Sequence, residues 1–242
     1  MAQLNGPFLW RLPTGRVLVE KSCPLRLASL FPAVPDSLPS STPSAASPPP
    51  RHFVLHKPYG YLSQFTSTFA KEVKKKHFLG ELGDFPAGTM AIGRLDEDSE
   101  GLLLLTTDGR VSEQIRSRHV EKEYYAQVDG LLTPEALASL QTGVAISIHG
   151  TPYCTLPCQA RLLAAAPDLP PRGRRIRDDR HGPTSWVAIT VTEGKFRQVR
   201  KMTAAVGFPT LRLVRVRVGE VLLDGLPAGA SREVSGFSKN KE

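Results

Sequence analysis

Cysteine is scarce in this chain. Cys23, Cys154 and Cys158 are the only three in 242 residues, too few and too irregular for a disulfide framework. Cys154 and Cys158 have Pro157 between them and no second pair nearby, so a zinc site is not expected, and the six histidines are scattered without metal-ligand spacing. No metal is therefore expected. A reducing compartment fits this cysteine usage, and a cytoplasmic location is the expectation. Long apolar runs are also missing: none could span a bilayer, so no membrane partner is expected. No internal repeat is visible. Positive charge, by contrast, is in excess, with 31 Lys and Arg against 23 Asp and Glu, a net charge of +8. That balance points to a polyanionic partner or an anionic surface, although many proteins are mildly basic. A hydrophobic content of 40% suffices for a sizeable core, and the length allows one large domain or two small ones.

Composition divides the chain. Residues 1–50 end in a Pro-, Ser- and Ala-rich stretch closing with Pro48-Pro49-Pro50. Such a stretch buries too little apolar surface to offset its ordering entropy, so about 35–50 reads as a disordered linker. Residues 1–30 read as a small appendage, a loose arm, a mis-assigned start or a transit peptide. The globular part runs over 51–235, followed by a tail at 236–242.

Within it, His52–His56, Leu102–Thr106, Lys122–Val128, Trp186–Thr192 and Thr210–Val218 read as strands. Val111–Arg118 and Phe196–Val206 read as helices, and a third is started by Thr133 as N-cap with Pro134 behind it and ended by Gly143. The elements are interspersed without a βαβ repeat, so the fold class expected is α+β. In the last strand Leu211 and Leu213 share one parity and Val214, Val216 and Val218 the other. The change of parity predicts a bulge or sharp twist near Leu213-Val214.

Two stretches carry the chemistry. In Gly93-Arg94-Leu95-Asp96-Glu97-Asp98-Ser99-Glu100-Gly101 a cation stands two positions from a carboxylate, and Leu102–Leu105 follow. A short apolar run entered from a glycine reads as a strand buried on both faces, which puts Arg94 and Asp96 on a loop at its edge. Glu97, Asp98 and Glu100 are expected to orient that loop. In Glu193-Gly194-Lys195-Phe196-Arg197-Gln198-Val199-Arg200-Lys201-Met202, a glycine turns the chain into a helix. Its cations Lys195, Arg197, Arg200 and Lys201 form either a solvated basic face or a phosphate-facing surface. Arg172-Gly173-Arg174-Arg175-Ile176-Arg177 follows a Pro-rich stretch and reads as an insertion, either an RNA-contacting mobile loop or a plain solvated one.

Gly93–Gly109, Lys122-Glu123-Tyr124 and Glu193–Met202 together resemble the successive motifs of bacterial ribosomal RNA pseudouridine synthases, over roughly residues 51–235 and in the right order. The resemblance implies a pseudouridine synthase catalytic fold, a mixed, largely antiparallel central sheet flanked by helices. Many relatives add an N-terminal S4 RNA-binding domain. Residues 1–50 lack its length and basic helical pattern, so no S4 domain is expected. The implied activity is isomerisation of uridine to pseudouridine without metal or cofactor, here on 23S ribosomal RNA, by a monomer.

Residue by residue, Asp96 matches the catalytic aspartate, as nucleophile or as base. Lys195 matches the basic position that keeps that carboxylate charged in a dry pocket. Tyr124 matches the tyrosine that packs against the target base, and Arg94 the arginine associated with extruding the nucleotide. Arg197, Gln198, Arg200, Lys201, Arg174 and Arg175 are the RNA-binding candidates, the first three of them equally readable as structural partners. Rival readings are a synthase for another RNA, a non-catalytic RNA-binding ribosome-assembly factor and, more remotely, a glycoside-cleaving enzyme using Asp96 with Glu97 or Asp98.

Overall fold

Four consecutive leucines require a strand covered on both sides, and Glu100–Thr106 is such a strand. Leu102 and Leu104 pack with Val54, Ile92 and Val214 on one face, and Leu103 and Leu105 with Phe53, Leu55 and Leu79 on the other. Each of the four is at most 1% exposed. Burying them contributes about 6–12 kcal/mol in total before ordering entropy is subtracted. The computed structural model describes residues 48–117, 120–174, 176 and 179–237. The expected extension up to residue 47, Arg175 and the end of the C-terminal tail lie outside the described residues.

In chain order the elements are β1 (His52–Lys57), α1 (Ala70–Val73), β2 (Met90–Ile92), β3 (Glu100–Thr106), α2 (Gly109–Ser117), β4 (Lys122–Asp129), α3 (Pro134–Thr142), β5 (Ala145–Ile148), β6 (Thr151–Cys154), β7 (Gln159–Leu162), β8 (Thr184–Val191), α4 (Gln198–Ala205), β9 (Thr210–Val218), β10 (Val221–Leu222) and β11 (Ser231–Val234). Two short 3₁₀ turns complete them. The class is α+β, as expected. The nine-stranded sheet has the order β11-β1-β3-β9-β4-β8-β7, with β10 beside β9 and β2 beside β3. β5 and β6 form a separate hairpin. Among the described residues no helix is long and apolar enough to cross a membrane.

Among the described residues every pairing between these strands is antiparallel except β3 with β9. That parallel contact joins only Glu100 and Gly101 to Val214 and Arg215. From Leu104 onward the same edge of β3 is taken by β2. The sheet therefore opens between β3 and β9, and the loop 93–99 that joins β2 to β3 runs along the opening. The join depends on Gly101. Its φ is +102°, and a Cβ there would lie 2.3 Å from the carbonyl oxygen of Arg215.

α3 begins as expected, with the Thr133 hydroxyl accepting from the Ala136 N–H. With α4 it covers one face of the sheet, around Val128, Ile189 and Leu213. α2 packs on the opposite face through Val111 and Ile115. The irregularity expected near Leu213-Val214 is present but does not fall between those two residues, which pair in sequence with Ala126 and Tyr125. Register slips occur on either side instead, leaving Val216 and Leu211 unpaired. The parity argument assumed one buried face. Leu213 belongs to one core and Val214 to the other, so both parities are buried without a bulge between them.

Candidate active site

The loop 93–99 is held from beneath. Leu95 is buried, its N–H donates to the Ser63 hydroxyl at 2.9 Å, and that hydroxyl donates back to the Leu95 carbonyl at 2.7 Å. The Gly60 N–H donates to the Glu97 carbonyl at 2.8 Å. Lys57, fully buried, donates to the carbonyls of Pro58 at 2.9 Å and Tyr61 at 2.7 Å, and burial lowers its pKa to about 8. Lys57-Pro58-Tyr59-Gly60 reads as a turn in the sequence; its buried ammonium beneath the loop is not legible there. Lys76 closes one side by a 2.7 Å ion pair to Glu97.

Above this support a cavity of about 370 Å³ opens between the β2–β3 loop, α2, β4, β9 and the turn before α4. It lies within the usual range of small-ligand sites, about 300–1,000 Å³. Arg94, Asp96, Tyr124 and Lys195 all line it, together with Arg197 and Gln198. Residues from the β2–β3 loop, from β4 and from the turn before α4 thus meet at one place. Arg94, Arg116, Lys122, Lys195, Arg197 and Arg215 face only two lining carboxylates, Asp96 and Glu193. The cavity therefore attracts anions. Arg94 is exposed where this cavity adjoins a second one, of about 290 Å³, behind Ser63 and Phe65. Tyr124 stands on β4 between Ile189 and Arg215, with Lys122 on the same side of the strand and also lining the cavity.

The acidic loop splits its carboxylates into two environments. Asp98 receives the fork of Arg197 at 2.9 and 2.8 Å. Burial alone would raise its pKa, but the hydrogen bonds from Arg197 and the charge of Arg200 outweigh it and hold the carboxyl below its usual range. Asp96 is raised, first by burial and then by the neighbouring Asp98 charge, against the partial relief of Arg197 at 3.4 Å. Arg197 is thus committed to Asp98 and leaves the oxygens of Asp96 largely unengaged. Paired carboxyls pushed apart in this way are a mark of divided roles.

The cation paired with Asp96 is Arg197, where the expectation named Lys195. The ammonium of Lys195 lies 4.8 Å above the ring of Tyr153. Its backbone N–H donates to Gln198 Oε1 at 3.1 Å. The reason is local backbone geometry. Arg197 adopts a left-handed φ of +51°, and α4 begins only at Gln198. Gln198 is buried and donates through its amide to Glu193 at 2.8 Å. Burial would raise Glu193, but hydrogen bonds from Tyr153, the Leu156 N–H and Gln198 lower it.

The remaining RNA-binding candidates separate. Arg200 turns inward, its side chain 10% exposed, donating to the Asp98 carbonyl at 2.7 Å and the Ser99 hydroxyl at 3.2 Å. Lys201 donates to the Ser147 carbonyl at 2.6 Å. Arg174 is exposed and donates to the Tyr59 hydroxyl at 3.0 Å. Neither Arg174 nor Lys201 lines the cavity. The insertion is anchored at Arg172, which stacks 4.1 Å over Tyr59 and pairs with Glu100 at 3.1 Å. Neither the mobile nor the solvated reading foresaw that anchor. Among the described residues no group of His, Cys, Asp and Glu converges as a metal site.

The family model described as RNA pseudouridylate synthase matches residues 51–205. The chain is 46% identical over 175 residues to the ribosomal large subunit pseudouridine synthase E of Xanthomonas axonopodis pv. citri, covering 72% of this chain and 88% of that one. Against the protein of the same name from Vibrio vulnificus the identity is 40% over 186 residues, covering 75% and 74%. Against the ribosomal large subunit pseudouridine synthase B of Bacillus subtilis it is 32% over 188 residues, covering 77% and 68%. A solved structure described as a pseudouridylate synthase superposes with a TM-score of 0.61 at 28% identity, over 77% of this chain and 71% of that one.

Proposed function

The chain belongs to the RNA pseudouridylate synthase family, and from that premise we propose that it isomerises a uridine of 23S ribosomal RNA, with Asp96 as the reacting carboxylate and residues 51–235 as the catalytic domain. The proposal rests on one observation above the others. Asp96 lies in an electropositive cavity beside Tyr124, Arg94 and Lys195, and the arginine that reaches it is forked onto Asp98 instead.

The reaction breaks the bond from the sugar to nitrogen 1, turns the uracil and rejoins it through carbon 5, which gives up its proton while nitrogen 1 gains one. A carboxylate serves by attacking sugar or base, or by removing a sugar proton. Each route needs an ionised oxygen not tied up in a fork. Arg197 keeps Asp96 charged against burial while spending its own hydrogen bonds on Asp98. Tyr124 offers a ring for the everted uracil. Arg94, exposed beside the cavity, is placed to hold the phosphate or fill the space left by the base, whose eversion costs a few kcal/mol. Lys195 contributes positive charge on the Glu193 side. Arg200 and Gln198 act from behind, holding the loop and the turn. The isomerisation is redox-neutral and exports no group, so the scheme uses the chain's own side chains and no cofactor. A ribosomal RNA substrate supports a cytoplasmic location. A purely RNA-binding factor would gain nothing from an ionisable carboxylate facing phosphate.

The test is incubation of the protein with unmodified 23S rRNA, followed by base-resolved pseudouridine mapping. A new pseudouridine at a defined position is expected. Modification confined to 16S rRNA or tRNA would overturn the substrate assignment, and no product on any RNA would overturn the activity.

A further inference from the structure

Among the described residues three non-glycine residues have a left-handed φ, and two of them, His149 and Arg197, flank one exposed aromatic ring. Phe196 is 51% exposed, directly between the cavity-lining Lys195 and Arg197. The ring of His149 stacks on it, with centroids 5.1 Å apart and planes 19° from parallel. His149 stands at the tip of the β5–β6 hairpin, where it and Gly150 both have positive φ, +50° and +86°. A two-residue hairpin turn of this kind favours Asn-Gly, and a left-handed non-glycine residue costs of order 1–3 kcal/mol. The chain accepts that strain and keeps both rings at the surface. Lys201 completes the group: its ammonium lies 4.9 Å from the Phe196 ring centroid and donates to the Ser147 carbonyl of the same hairpin.

A single exposed phenylalanine is ordinary. A stacked pair of exposed rings, held by two strained residues, capped by a cation and set between two residues that line an anion-attracting cavity, matches the combination that binds unpaired nucleic-acid bases. We propose that His149 and Phe196 form a stacking platform outside the cavity for an unpaired base flanking the target uridine, with Lys201 facing the adjoining phosphate. The platform extends recognition beyond the everted nucleotide and selects substrates whose neighbouring base is free to unstack. The inference rests on the RNA-modifying reading above.

The test compares wild type, Phe196→Ala, Phe196→Trp and His149→Ala on a 23S rRNA fragment that the wild type modifies. Stacking is worth about 1–3 kcal/mol per base, so Phe196→Ala should raise KM about 5- to 150-fold and leave kcat within about twofold. Phe196→Trp should restore KM, and His149→Ala should raise it to a lesser degree. Placing 2-aminopurine beside the target uridine should give fluorescence quenching with wild type and Phe196→Trp but not with Phe196→Ala. An unchanged KM in both alanine variants would overturn the platform, as would a fall in kcat at unchanged KM, which would make Phe196 a prop for the turn. If Phe196→Ala does not fold, His149→Ala and the quenching at wild type decide in the same way. Wild type failing to modify the fragment is a separate outcome, which sinks the proposed function.

Discussion

Glu100→Gln is the sharpest perturbation of the frame that carries the loop. Glu100 opens β3 directly after the acidic loop, and its side chain is 4% exposed. It accepts from Arg212 Nε at 3.2 Å and Nη2 at 2.8 Å and pairs with Arg172 Nε at 3.1 Å. Both arginine side chains are 9% exposed. Glutamine keeps one acceptor oxygen and presents an amide donor to two buried guanidinium groups. At least one of the two charge-assisted hydrogen bonds from Arg212 is lost, worth about 1.5–3 kcal/mol, and both Arg212 and Arg172 lose their counter-charge. That agrees with the usual loss of about 3–5 kcal/mol when one partner of a buried ion pair is removed. For a domain of this size each kcal/mol shifts the unfolding midpoint by about 2–4 °C, so a fall of about 6–20 °C is expected by circular dichroism. Replacing the whole triad together, Glu100→Leu with Arg212→Met and Arg172→Met, should recover much of the loss, because it removes the desolvation cost along with the attraction. A midpoint within 3 °C of wild type in Glu100→Gln would refute the reasoning.

Gly101→Ala should destabilise the fold by at least about 3 kcal/mol, because its Cβ would collide with the Arg215 backbone where β3 and β9 join; denaturant titration reads this directly. Arg197→Met should move the acid limb of the kcat/KM profile to higher pH. In the proposed reaction Asp96 acts as the carboxylate, which exists above its pKa, and losing the cation raises that pKa beyond what burial already does; an unmoved limb would detach Arg197 from Asp96. Tyr124→Ala should lower kcat/KM at least about tenfold through loss of base stacking with little change in the unfolding midpoint.

The fold was legible wherever one residue type did one job. Leu102–Leu105 and the Thr133-Pro134 start of α3 announce themselves, because burial on two faces and N-capping each leave a local mark. β9 was legible as a strand with an irregularity, but not in where its register slips, because both of its parities face a core. The short β5–β6 and β7 strands carry too few buried residues for a periodicity. Within the site, the motifs brought Asp96, Tyr124, Arg94 and Lys195 to one cavity. They could not say which cation touches Asp96, since that depends on one left-handed residue, Arg197. Nor could they mark Lys57 or Arg172 as buried supports, because their partners are backbone carbonyls and residues far along the chain.

The most direct measurement is turnover by Asp96→Asn on modified-free 23S rRNA, alongside its RNA affinity and unfolding midpoint. Asparagine preserves shape and removes the ionisable oxygen. The account predicts a folded protein that binds RNA with a Kd close to that of wild type and forms no pseudouridine. Product formation at a rate near wild type would contradict it.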